Sequence, residues 1–543
     1  MKHLLCWYDY MINVEDILKE TEKYDVVCFD VFDTLLIRDV MKPTDVFRFS
    51  YGELGRYIRI LSEMIARKSS KTGEVTLEDI EKKCLFSCQK ELEIEQVVCR
   101  ANPQIKQIYD VLKKQGKKIL ALSDMYLSSK VISELLQKAG YEIPVIVSCE
   151  YGCDKASGKL FQEFLIQHSF SPSQVIHIGD SAISDCEGAK KASIKSILIN
   201  RHSNQLAYTR YTKNNFEFAA FVNHGLCEEK DPVERIGYEI IGPIILSFCQ
   251  WVHEKYEENK YDRLFFLARD MRFAYEIYRS LYPNDEARYL CVSRKSLLFA
   301  RNNPDAFCDY LKKEKCFGNV SIVDTGWIGN AQVEIEKYAK LIDPSSDVGG
   351  LYLGSKLAYR IKPRSKRSYV YLYSSWGEQF KCQIFPPFME TLIGCNEKQV
   401  IRYENGIPVF DRDNDSDFTN NLKDGARQFI ADWTSIKGNK RLDKSVRKPF
   451  ERLFYNPKPD HIDLIGSLRY EDFKDTKIVS FDENCHYWRH PGKLFSDMSY
   501  SGWKGAFMKK CGIWYPVLLG FYFIFGAARL YLIDKKKCKN AQL

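Results

Sequence analysis

The first 200 residues of the chain alternate short apolar runs with longer charged stretches. The apolar runs lie at residues 24–30, 118–122, 143–148, 175–178 and 196–199, and helix-like segments separate them. Nearly continuous apolar runs of this length are typical of strands that are buried on both faces of a parallel sheet. Their alternation with helices predicts an α/β fold in which helices cover the sheet.

A second series of the same kind begins near residue 235. We expect helices at 236–256 and 273–281, and strands at 263–268, 289–292, 320–324 and 348–353. The chain has 543 residues, too many for one hydrophobic core, because domains usually span roughly 100 to 200 residues. We predict six segments: an N-terminal extension (1–23), a first α/β core (24–205) with a helical insert at about 40–103, a linker (206–234), a second α/β domain (235–410), a mixed, mainly helical region (411–505) and a tail (506–543).

The positive charge of the chain is concentrated at its C-terminal end. Of the formal net charge of +8, residues 501–543 carry +7, from eight basic residues and one acid. The remaining residues are close to neutral, whereas a nucleic-acid-binding body would carry a basic face. We therefore expect no nucleic-acid partner. The 18 cysteines are scattered and lack paired zinc-type spacing, which is typical of thiols in a reducing cytoplasm.

Motifs that can carry chemistry stand at or just beyond the expected strands of the first domain. Asp30 ends the first strand and Ser123 ends the next core strand. Lys155 follows in a loop, and Asp180 and Asp185 come directly after another strand. Strand-end acids are where α/β folds place their chemistry, and carboxylates are hard oxygen ligands that suit Mg²⁺.

This ordered set of motifs resembles the haloacid dehalogenase (HAD) superfamily. The resemblance covers about residues 24–200, with a helical insert of the type that this superfamily uses as a cap. The segments around Asp30 and Ser123 are similar to one branch, the large two-domain hydrolases found with bacterial surface-polysaccharide genes. The resemblance implies a Rossmann-like core, a Mg²⁺ cofactor and nucleophilic catalysis through an aspartyl-phosphate.

The same resemblance implies roles for individual residues. The implied ligands of Mg²⁺ are Asp30, the backbone carbonyl of Phe32, Asp180 and Asp185. The implied catalytic residues are Asp30 as nucleophile, Ser123 and Lys155. The implied substrate-binding residues of this domain are Thr34 and Asp124.

One position departs from the pattern of the superfamily's phosphatases. They carry a second aspartate two residues after the nucleophile, where it protonates the leaving group, and this chain has Phe32 there and an acid only at Asp33. Three alternatives stay open: metal-dependent cleavage of another bond to phosphorus, as in phosphonate-cleaving members; metal-free dehalogenase chemistry, which leaves the later acid pair unexplained; and a site that binds a phosphorylated ligand without turnover.

Charged residues and glycines also follow the expected strands of the second domain. The candidates for substrate binding there are Arg269, Arg294, Asp324, Gly326 and Gly329. Glycines between a strand and a helix let backbone amides approach an anion, and arginines supply countercharge. We expect a phosphorylated small molecule, such as a sugar phosphate or a nucleotide sugar. The alternative is a tight turn, with Arg269 paired to Asp270 at the surface.

Residues 511–528 form an aromatic, uncharged run of 18 residues with lysines on both sides. This length is at the short end for a membrane span, and Pro516, Gly520 and Gly526 weaken a straight helix. We expect peripheral contact with a membrane, helped by attraction of the lysines to anionic lipid. A C-terminal helix packed on the body is the alternative.

Together these expectations describe a cytoplasmic, Mg²⁺-dependent phosphohydrolase or phosphotransferase at the inner face of the membrane. Its resemblance to the polysaccharide-associated branch favours a role in cell-envelope glycan assembly. Two other hypotheses stay open. The chain is a non-catalytic scaffold that binds a phosphorylated ligand, or it is a transferase whose active site lies in the second domain.

Overall fold

The computed structural model describes residues 13–199, 216–225, 231–327, 329–355, 367–373, 386–395, 397–411, 419–442, 446–471 and 475–525. The chain divides into two compact units, residues 1–228 and 229–543. The finer division into six segments stays a prediction.

The first unit is built on a parallel sheet of five strands. Its strands are β1 (Val26–Asp30), β2 (Leu36–Arg38), β3 (Cys99–Ala101), β4 (Lys118–Ser123), β5 (Val145–Val147), β6 (Val175–Gly179) and β7 (Lys195–Leu198). The sheet has the order β5-β4-β1-β6-β7, and every neighbouring pair is parallel. Val27 and Phe29 of β1 pack into the core on one face, and Val26 and Cys28 into the core on the other. Burial on both faces explains the continuous apolar run, and the predicted α/β fold is confirmed.

Helices cover both faces of this sheet. Pro103–Lys114 and Ser129–Lys138 contribute to the core on the Val27 face, and Lys159–His168 and Gly188–Lys191 to the core on the opposite face. The other described α-helices of the unit are Val14–Thr21, Asp45–Ser69, Leu77–Glu81, Gln89–Val98, Ser148–Tyr151 and Phe216–Gly225.

The insert leaves and returns to the sheet through a two-stranded antiparallel ribbon. β2 pairs with β3, with Leu36 opposite Ala101, so the insert helices begin and end near one point. The sequence predicted a helical pattern up to about residue 102, but β3 occupies residues 99–101 because its backbone pairs with β2. The first insert helix also bends at Gly52, where φ is +71°, a value that glycine adopts without strain.

Part of the predicted linker is helical and packs on the first unit. In helix Phe216–Gly225, the Asn223 amide donates a hydrogen bond to the Asp39 carbonyl at 2.9 Å. The rings of Phe216 and Phe49 meet edge to face, with centroids 4.5 Å apart. The predicted linker 206–234 therefore contains a helix whose described contacts are with residues of the first unit. Residues 200–215 and 226–230 lie outside the described residues.

The second unit contains a second parallel sheet of five strands. These are β8 (Arg263–Leu267), β9 (Ala287–Leu290), β10 (Asn319–Trp327), β11 (Asp347–Ser355) and β12 (Ser368–Leu372). Their order is β12-β11-β10-β8-β9, and every neighbouring pair is parallel. The chain goes from β8 outward to β9 and then returns to the other side of β8, so the strand order reverses between β8 and β10. Such a reversal opens a crevice at the carboxyl ends of the two strands.

The α-helices that accompany this sheet are Pro232–Ile236, Gly242–Asn259, Arg272–Leu281, Arg294–Asn302, Pro304–Glu314, Asn330–Ile342 and Pro386–Ile393. The region after them adds the hairpin β13 (Val400–Glu404) and β14 (Ile407–Phe410). Its α-helices are Asn420–Lys437, Arg447–Tyr455, Pro459–Ile465, Pro491–Tyr500 and Lys504–Lys510. The sequence pattern predicted a mainly helical region after residue 411, and the structure also contains the hairpin β15 (Arg469–Glu471) and β16 (Asp475–Lys477).

The C-terminal region packs around a buried tryptophan. Trp503 is fully buried, stacks on Phe388 with ring centroids 4.3 Å apart, and donates its indole N–H to the Phe454 carbonyl at 3.1 Å. A last described helix covers residues 515–525. Within the described part of the chain, none of the helices combines the length and apolar character needed to cross a membrane.

Candidate metal-dependent active site

The carboxyl ends of three neighbouring strands bring the predicted catalytic residues together. Asp30 ends β1 and Ser123 ends β4, and the two strands are adjacent, with Asp30 opposite Leu122. β6 lies on the other side of β1 and ends at Gly179, directly before Asp180. Because the strands are parallel, their acids and hydroxyl meet at one edge of the sheet.

Lys155 connects two of the acids from within the protein. Its side chain is 2% exposed, and its Nζ lies 2.5 Å from Asp30 Oδ1 and 2.6 Å from Asp185 Oδ1. Its backbone N–H donates to Asp124 Oδ1 at 2.9 Å, which fixes the loop that carries the ammonium. Gly188 makes this approach possible, since a Cβ there would lie 2.1 Å from the Lys155 carbonyl oxygen.

Asp185 is held by three donors. Besides Lys155, the backbone N–H of Ser181 donates to Oδ2 at 2.9 Å, and His177 Nε2 lies 3.0 Å from Oδ1. An ionised carboxylate only accepts hydrogen bonds, so His177 carries its proton on Nε2. A Cβ on Gly179 would lie 2.3 Å from the Asp185 carboxyl carbon, which explains the glycine before Asp180.

Sequence reasoning missed His177. It lies inside β6 and is fully buried, where the pattern shows an ordinary strand residue. No local signal marks it, because its contact with Asp185 depends on how the following turn folds back over the strand end.

Three carboxylates form a group that could hold a cation. Asp30, Asp180 and Asp185 each offer one oxygen, and these oxygens lie within 4.8 Å of one another. Among the residues that the structure describes, this is the group that meets this spacing. A set of carboxylate oxygens is the donor chemistry that Mg²⁺ prefers, so the residues present fit the predicted ion.

The pKa values follow from this crowding. Burial raises the pKa of Asp30, against the opposing charge of Lys155. Burial, together with repulsion from Asp30 and Asp185, raises the pKa of Asp180 to about 7. Burial alone would also raise the pKa of Asp185, but the His177 hydrogen bond and Lys155 hold it well below its usual range. Burial opposes the charge on Lys155, whose pKa is nevertheless raised by Asp30 and Asp185. Asp185 and Lys155 are thus a charged pair, and a divalent cation would compensate the other two acids.

A cavity of about 430 Å³ opens above these residues. Its floor is formed by the sheet edge, and residues of the insert, including Phe47, Glu63 and Glu95, form part of its wall. The predicted site residues that line it are Asp30, Phe32, Ser123, Asp124, Lys155, Asp180 and Asp185. Burial raises the pKa of Asp124 to about 6, against the opposing effect of Lys155.

Thr34, predicted to bind substrate, does not line this cavity. Its side chain is fully buried, and its hydroxyl oxygen has no hydrogen-bond partner among the described residues. Substrate binding by Thr34 stays a prediction. The neighbouring Asp33 lies at the cavity wall, with a φ of +62°.

Phe32 fills the position at which the sequence lacks the second aspartate. The guanidinium carbon of Arg38 lies 4.0 Å from the centre of the Phe32 ring. Arg38 also donates two hydrogen bonds to Glu95, both at 2.8 Å, and all three residues line the cavity. The Phe32 ring therefore lies against a guanidinium whose charge is paired with Glu95.

The structure also brings together several predicted residues of the second unit. Val323 of β10 lies opposite Phe266 of β8, so Asp324 is beside the loop that follows β8, which carries Arg269 and Asp270. A Cβ on Gly394 would lie 3.7 Å from Asp270 Oδ1, so the segment after helix Pro386–Ile393 closes over this loop.

Electrostatic effects in this cluster connect acids and arginines. Burial raises the pKa of Asp270 well above its usual range, and the negative charges of Glu390 and Asp324 add to this effect. The positive charges of Arg269 and Arg294 oppose the rise. Burial also raises the pKa of Asp324 to about 6.

The glycine loop of the second unit uses some of its amides internally. The Asp324 carboxylate accepts hydrogen bonds from the backbone of Thr325 and of Gly326, and the sequence suggested the amide of Gly326 for an external anion. Gly326 and Gly329 both have positive φ, at +95° and +71°. Anion binding at Gly326 and Gly329 stays a prediction.

Comparisons with known proteins gave structural similarities only. No protein-family model matches the sequence, and the comparison with curated proteins gave no match. Among solved structures, a HAD phosphatase from Thermococcus onnurineus is 20% identical, covers 33% of this chain and 88% of its own, and has a TM-score of 0.26. A 2-haloacid dehalogenase from Pseudomonas syringae is 16% identical over 32% of this chain and 86% of its own, with a TM-score of 0.25. A HAD family enzyme from Bacteroides thetaiotaomicron is 12% identical over 34% of this chain and 98% of its own, with a TM-score of 0.26.

Proposed function

We propose that the first unit is a Mg²⁺-dependent phosphohydrolase or phosphotransferase of the HAD type. The observation that carries this proposal is the arrangement of Asp30, Asp180 and Asp185 within 4.8 Å, with the Lys155 ammonium between two of them. The third carboxylate, Asp180, has a pKa that burial and the charges of Asp30 and Asp185 raise to about 7, so a bound cation would favour its ionised form. Perturbed carboxyls of this kind cluster at functional sites.

In the proposed reaction, a carboxylate oxygen of Asp30 attacks phosphorus and forms an acyl-phosphate bond. The bond from phosphorus to the leaving atom breaks, and the leaving atom keeps the electron pair and takes up a proton. Water then attacks the phosphoryl group in hydrolysis, or an acceptor hydroxyl attacks it in transfer, and Asp30 is regenerated. When bound, Mg²⁺ supplies positive charge that lets two anions approach each other. Lys155 pairs with Asp185 and orients the Asp30 carboxylate, and Ser123 donates to the phosphoryl oxygens.

The leaving-group proton needs a different source from the one used by ordinary phosphatases, because Phe32 is not an acid. Asp33, Glu63 and Asp124 line the cavity, and the pKa of about 6 lets Asp124 hold a proton in part of the molecules near neutral pH. Phosphonates are the second possibility: the phosphorus–carbon bond breaks, the carbon group leaves as a stabilised carbanion, and water can protonate that carbon afterwards. The site therefore favours one of these chemistries over unassisted monoester hydrolysis.

The biological setting is proposed from sequence resemblance. A phosphorylated sugar or nucleotide sugar used in cell-envelope glycan assembly would fit the polysaccharide-associated branch of the superfamily. The cavity of about 430 Å³ has room for a phosphorylated small molecule of this class.

Phosphate release from the full-length protein tests the proposal. Sugar phosphates, nucleotides and phosphonates would each be incubated with Mg²⁺ and with EDTA. We expect release that depends on Mg²⁺ and is abolished in Asp30→Asn, because an amide is not a nucleophile toward phosphorus. Asp110→Asn, an exposed helix position paired with Lys106, is the matched control. Turnover that survives EDTA would support the metal-free alternative, and Mg²⁺-dependent ligand binding without turnover would support the scaffold alternative.

A second candidate function is ligand binding in the second unit. Its support is topological: Asp270 follows β8 and Asp324 lies in the C-terminal half of β10, and the strand order of the second sheet reverses between these two strands, the position at which open α/β sheets bind ligands. Carboxyls that accept from hydroxyls and nearby arginines that attract an anion would suit a sugar phosphate. Calorimetry with glucose 1-phosphate as the probe tests this function. Binding should weaken about tenfold or more in Asp270→Asn and stay unchanged in Asp30→Asn, and the reverse pattern would assign the binding to the first unit.

A further inference from the structure

The last described helix, residues 515–525, is attached to the second unit by one of its two apolar faces. The Tyr515 hydroxyl donates to the Tyr455 carbonyl at 2.6 Å, and the rings of Tyr455 and Phe523 lie 5.3 Å apart. The half-buried residues of the helix recur at helical spacing, at Tyr515, Leu518, Leu519, Tyr522 and Phe523. They form the face that packs on the protein.

The opposite face is apolar and exposed. Its residues, with the turn that precedes the helix, are Ile513, Trp514, Val517, Phe521, Ile524 and Phe525, and their exposed fractions range from 46% to 88%. From Trp514 onward they are spaced by three or four residues, or directly adjacent, so that they fall on one side of the helix. Contiguous exposed apolar surface of this kind marks a site of interaction.

The charge of the surrounding sequence selects the partner. The +7 of residues 501–543 includes Lys535, Lys536, Lys537 and Lys539, which lie outside the described residues. Packing a second copy of the chain on this face would bring two such cationic segments together, which is unfavourable. A nucleic acid would match the charge but not an outer face of phenylalanine, isoleucine and tryptophan. An anionic lipid surface matches both, because its acyl region accepts the apolar side chains and its headgroups attract the lysines.

We propose that the outer face of helix 515–525 inserts into the interfacial region of an anionic membrane, held there by the lysines at 535–539. The packed inner face keeps the helix attached to the second unit while the outer face is in lipid. Trp514, at the start of the exposed face, then lies at the boundary between headgroups and acyl chains, where tryptophan is enriched.

Vesicle sedimentation with the full-length protein tests this proposal. One probe is vesicles of phosphatidylcholine that contain about 30% phosphatidylserine, which gives them an anionic surface. The other probe is vesicles of phosphatidylcholine alone, which carry no net charge. We expect binding to the anionic vesicles that falls steeply as salt is raised. Substituting the four lysines 535, 536, 537 and 539 with Gln should weaken binding about 100-fold or more, since each lysine near such a surface contributes roughly fivefold. The matched control replaces four exposed lysines of the first unit, Lys71, Lys83, Lys90 and Lys114, with Gln.

The apolar contribution is tested by a second variant, Phe521→Ser with Phe525→Ser. It should weaken vesicle binding at least tenfold while the melting temperature stays close to that of the parent protein, because both rings are more than half exposed. Brominated lipid should quench the tryptophan fluorescence of the bound parent protein, because Trp514 lies in the vesicle surface. The quenching should be weaker in the variant Trp514→Phe, although this variant still binds the vesicles. Three results would each overturn the proposal. They are no binding to either kind of vesicle, an equal loss of vesicle binding in the control with four lysines of the first unit replaced, and conversion of a dimer to a monomer by the double substitution of Phe521 and Phe525.

Discussion

Replacing Lys155 with Met tests how much the first site depends on its buried ammonium. Met has a similar length and an apolar stem, so the substitution removes the charge and little of the packing. The ammonium is 2% exposed and contacts Asp30 at 2.5 Å and Asp185 at 2.6 Å. Removing one partner of a buried ion pair costs about 3 to 5 kcal/mol. Since Asp30 can take up a proton in the variant, we expect the lower end of that range near neutral pH without Mg²⁺.

The pH dependence identifies the cause of this loss. Without Lys155, the pKa of Asp30 rises further above its unfolded value of 3.8 in the folded protein, and the pKa of Asp185 loses one of the two contacts that hold it below that value. A carboxyl group whose pKa is higher in the folded than in the unfolded protein stabilises the fold when it is protonated. This stability is fully present below the unfolded-state pKa, and it is lost as the pH rises through the folded-state pKa. The penalty of Lys155→Met should therefore be smallest below about pH 4 and should grow toward neutral pH. A simple packing defect would cost the same at every pH.

Hydrogen exchange in the full-length protein measures this penalty locally. The amides of β1 and β4 report opening of the first sheet, which avoids treating a chain of two units as a single unfolding transition. Lys159→Met, at an exposed position of the next helix, is the control and should change stability by less than about 0.5 kcal/mol. A Lys155→Met penalty below about 1 kcal/mol, or one that does not vary with pH, would refute the reasoning.

Three further predictions concern separate parts of the chain. Phe32→Asp should raise monoester phosphatase activity about 100-fold or more if leaving-group protonation is what the site lacks, and steady-state phosphate release with Mg²⁺ would measure it. Asp180→Asn with Asp185→Asn should abolish Mg²⁺ binding in calorimetry while far-ultraviolet circular dichroism stays unchanged, because two of three carboxylate ligands lose their charge. Burial, with Lys458 and Arg452, lowers the pKa of His461 from 6.5 to about 3, so stability present above pH 6.5 should be lost as the pH falls toward 3. At about pH 4.5 the loss relative to His461→Leu should be about 2 to 3 kcal/mol, measured by hydrogen exchange of the amides in helix Pro459–Ile465.

Much of the first site could be predicted because its residues are fixed by strand ends. Asp30, Ser123 and Asp180 each stand at or directly after a strand, and parallel strands bring such positions to one edge. The apolar runs that mark the strands are local features of the sequence. The strand bounds were accordingly close, although β10 extends to Trp327 and β9 begins already at Ala287.

Contacts between distant segments could not be predicted in the same way. The helix Phe216–Gly225 contacts residues far away in the sequence, through Phe216 with Phe49 and through Asn223 with Asp39. His177 is similar, since its role depends on a turn that returns Asp185 over the strand. A single sequence shows the residue types in these contacts but not which of them meet.

The insert shows why a charged pattern can hide a buried structure. The segment around Glu91 and Glu95 alternates acids with apolar residues and suggests an exposed helix surface, yet both acids are at most 2% exposed. Each is held by a buried arginine, Glu91 by Arg59 and Glu95 by Arg38. A buried ion pair contributes little net stability, but separating its two partners leaves a buried charge without compensation. Ion pairs of this kind therefore strongly disfavour arrangements in which the helices are misaligned.

Arg38 also stacks on Phe32 at the cavity wall. Glu95 of the insert thus positions Arg38 and, through it, the Phe32 ring at the cavity wall. Arg38→Met should disturb the proposed turnover by releasing Phe32, although Arg38 has no described contact with Asp30, Asp180 or Asp185. Unchanged kcat and KM in Arg38→Met, with the insert still protected in hydrogen exchange, would contradict this coupling.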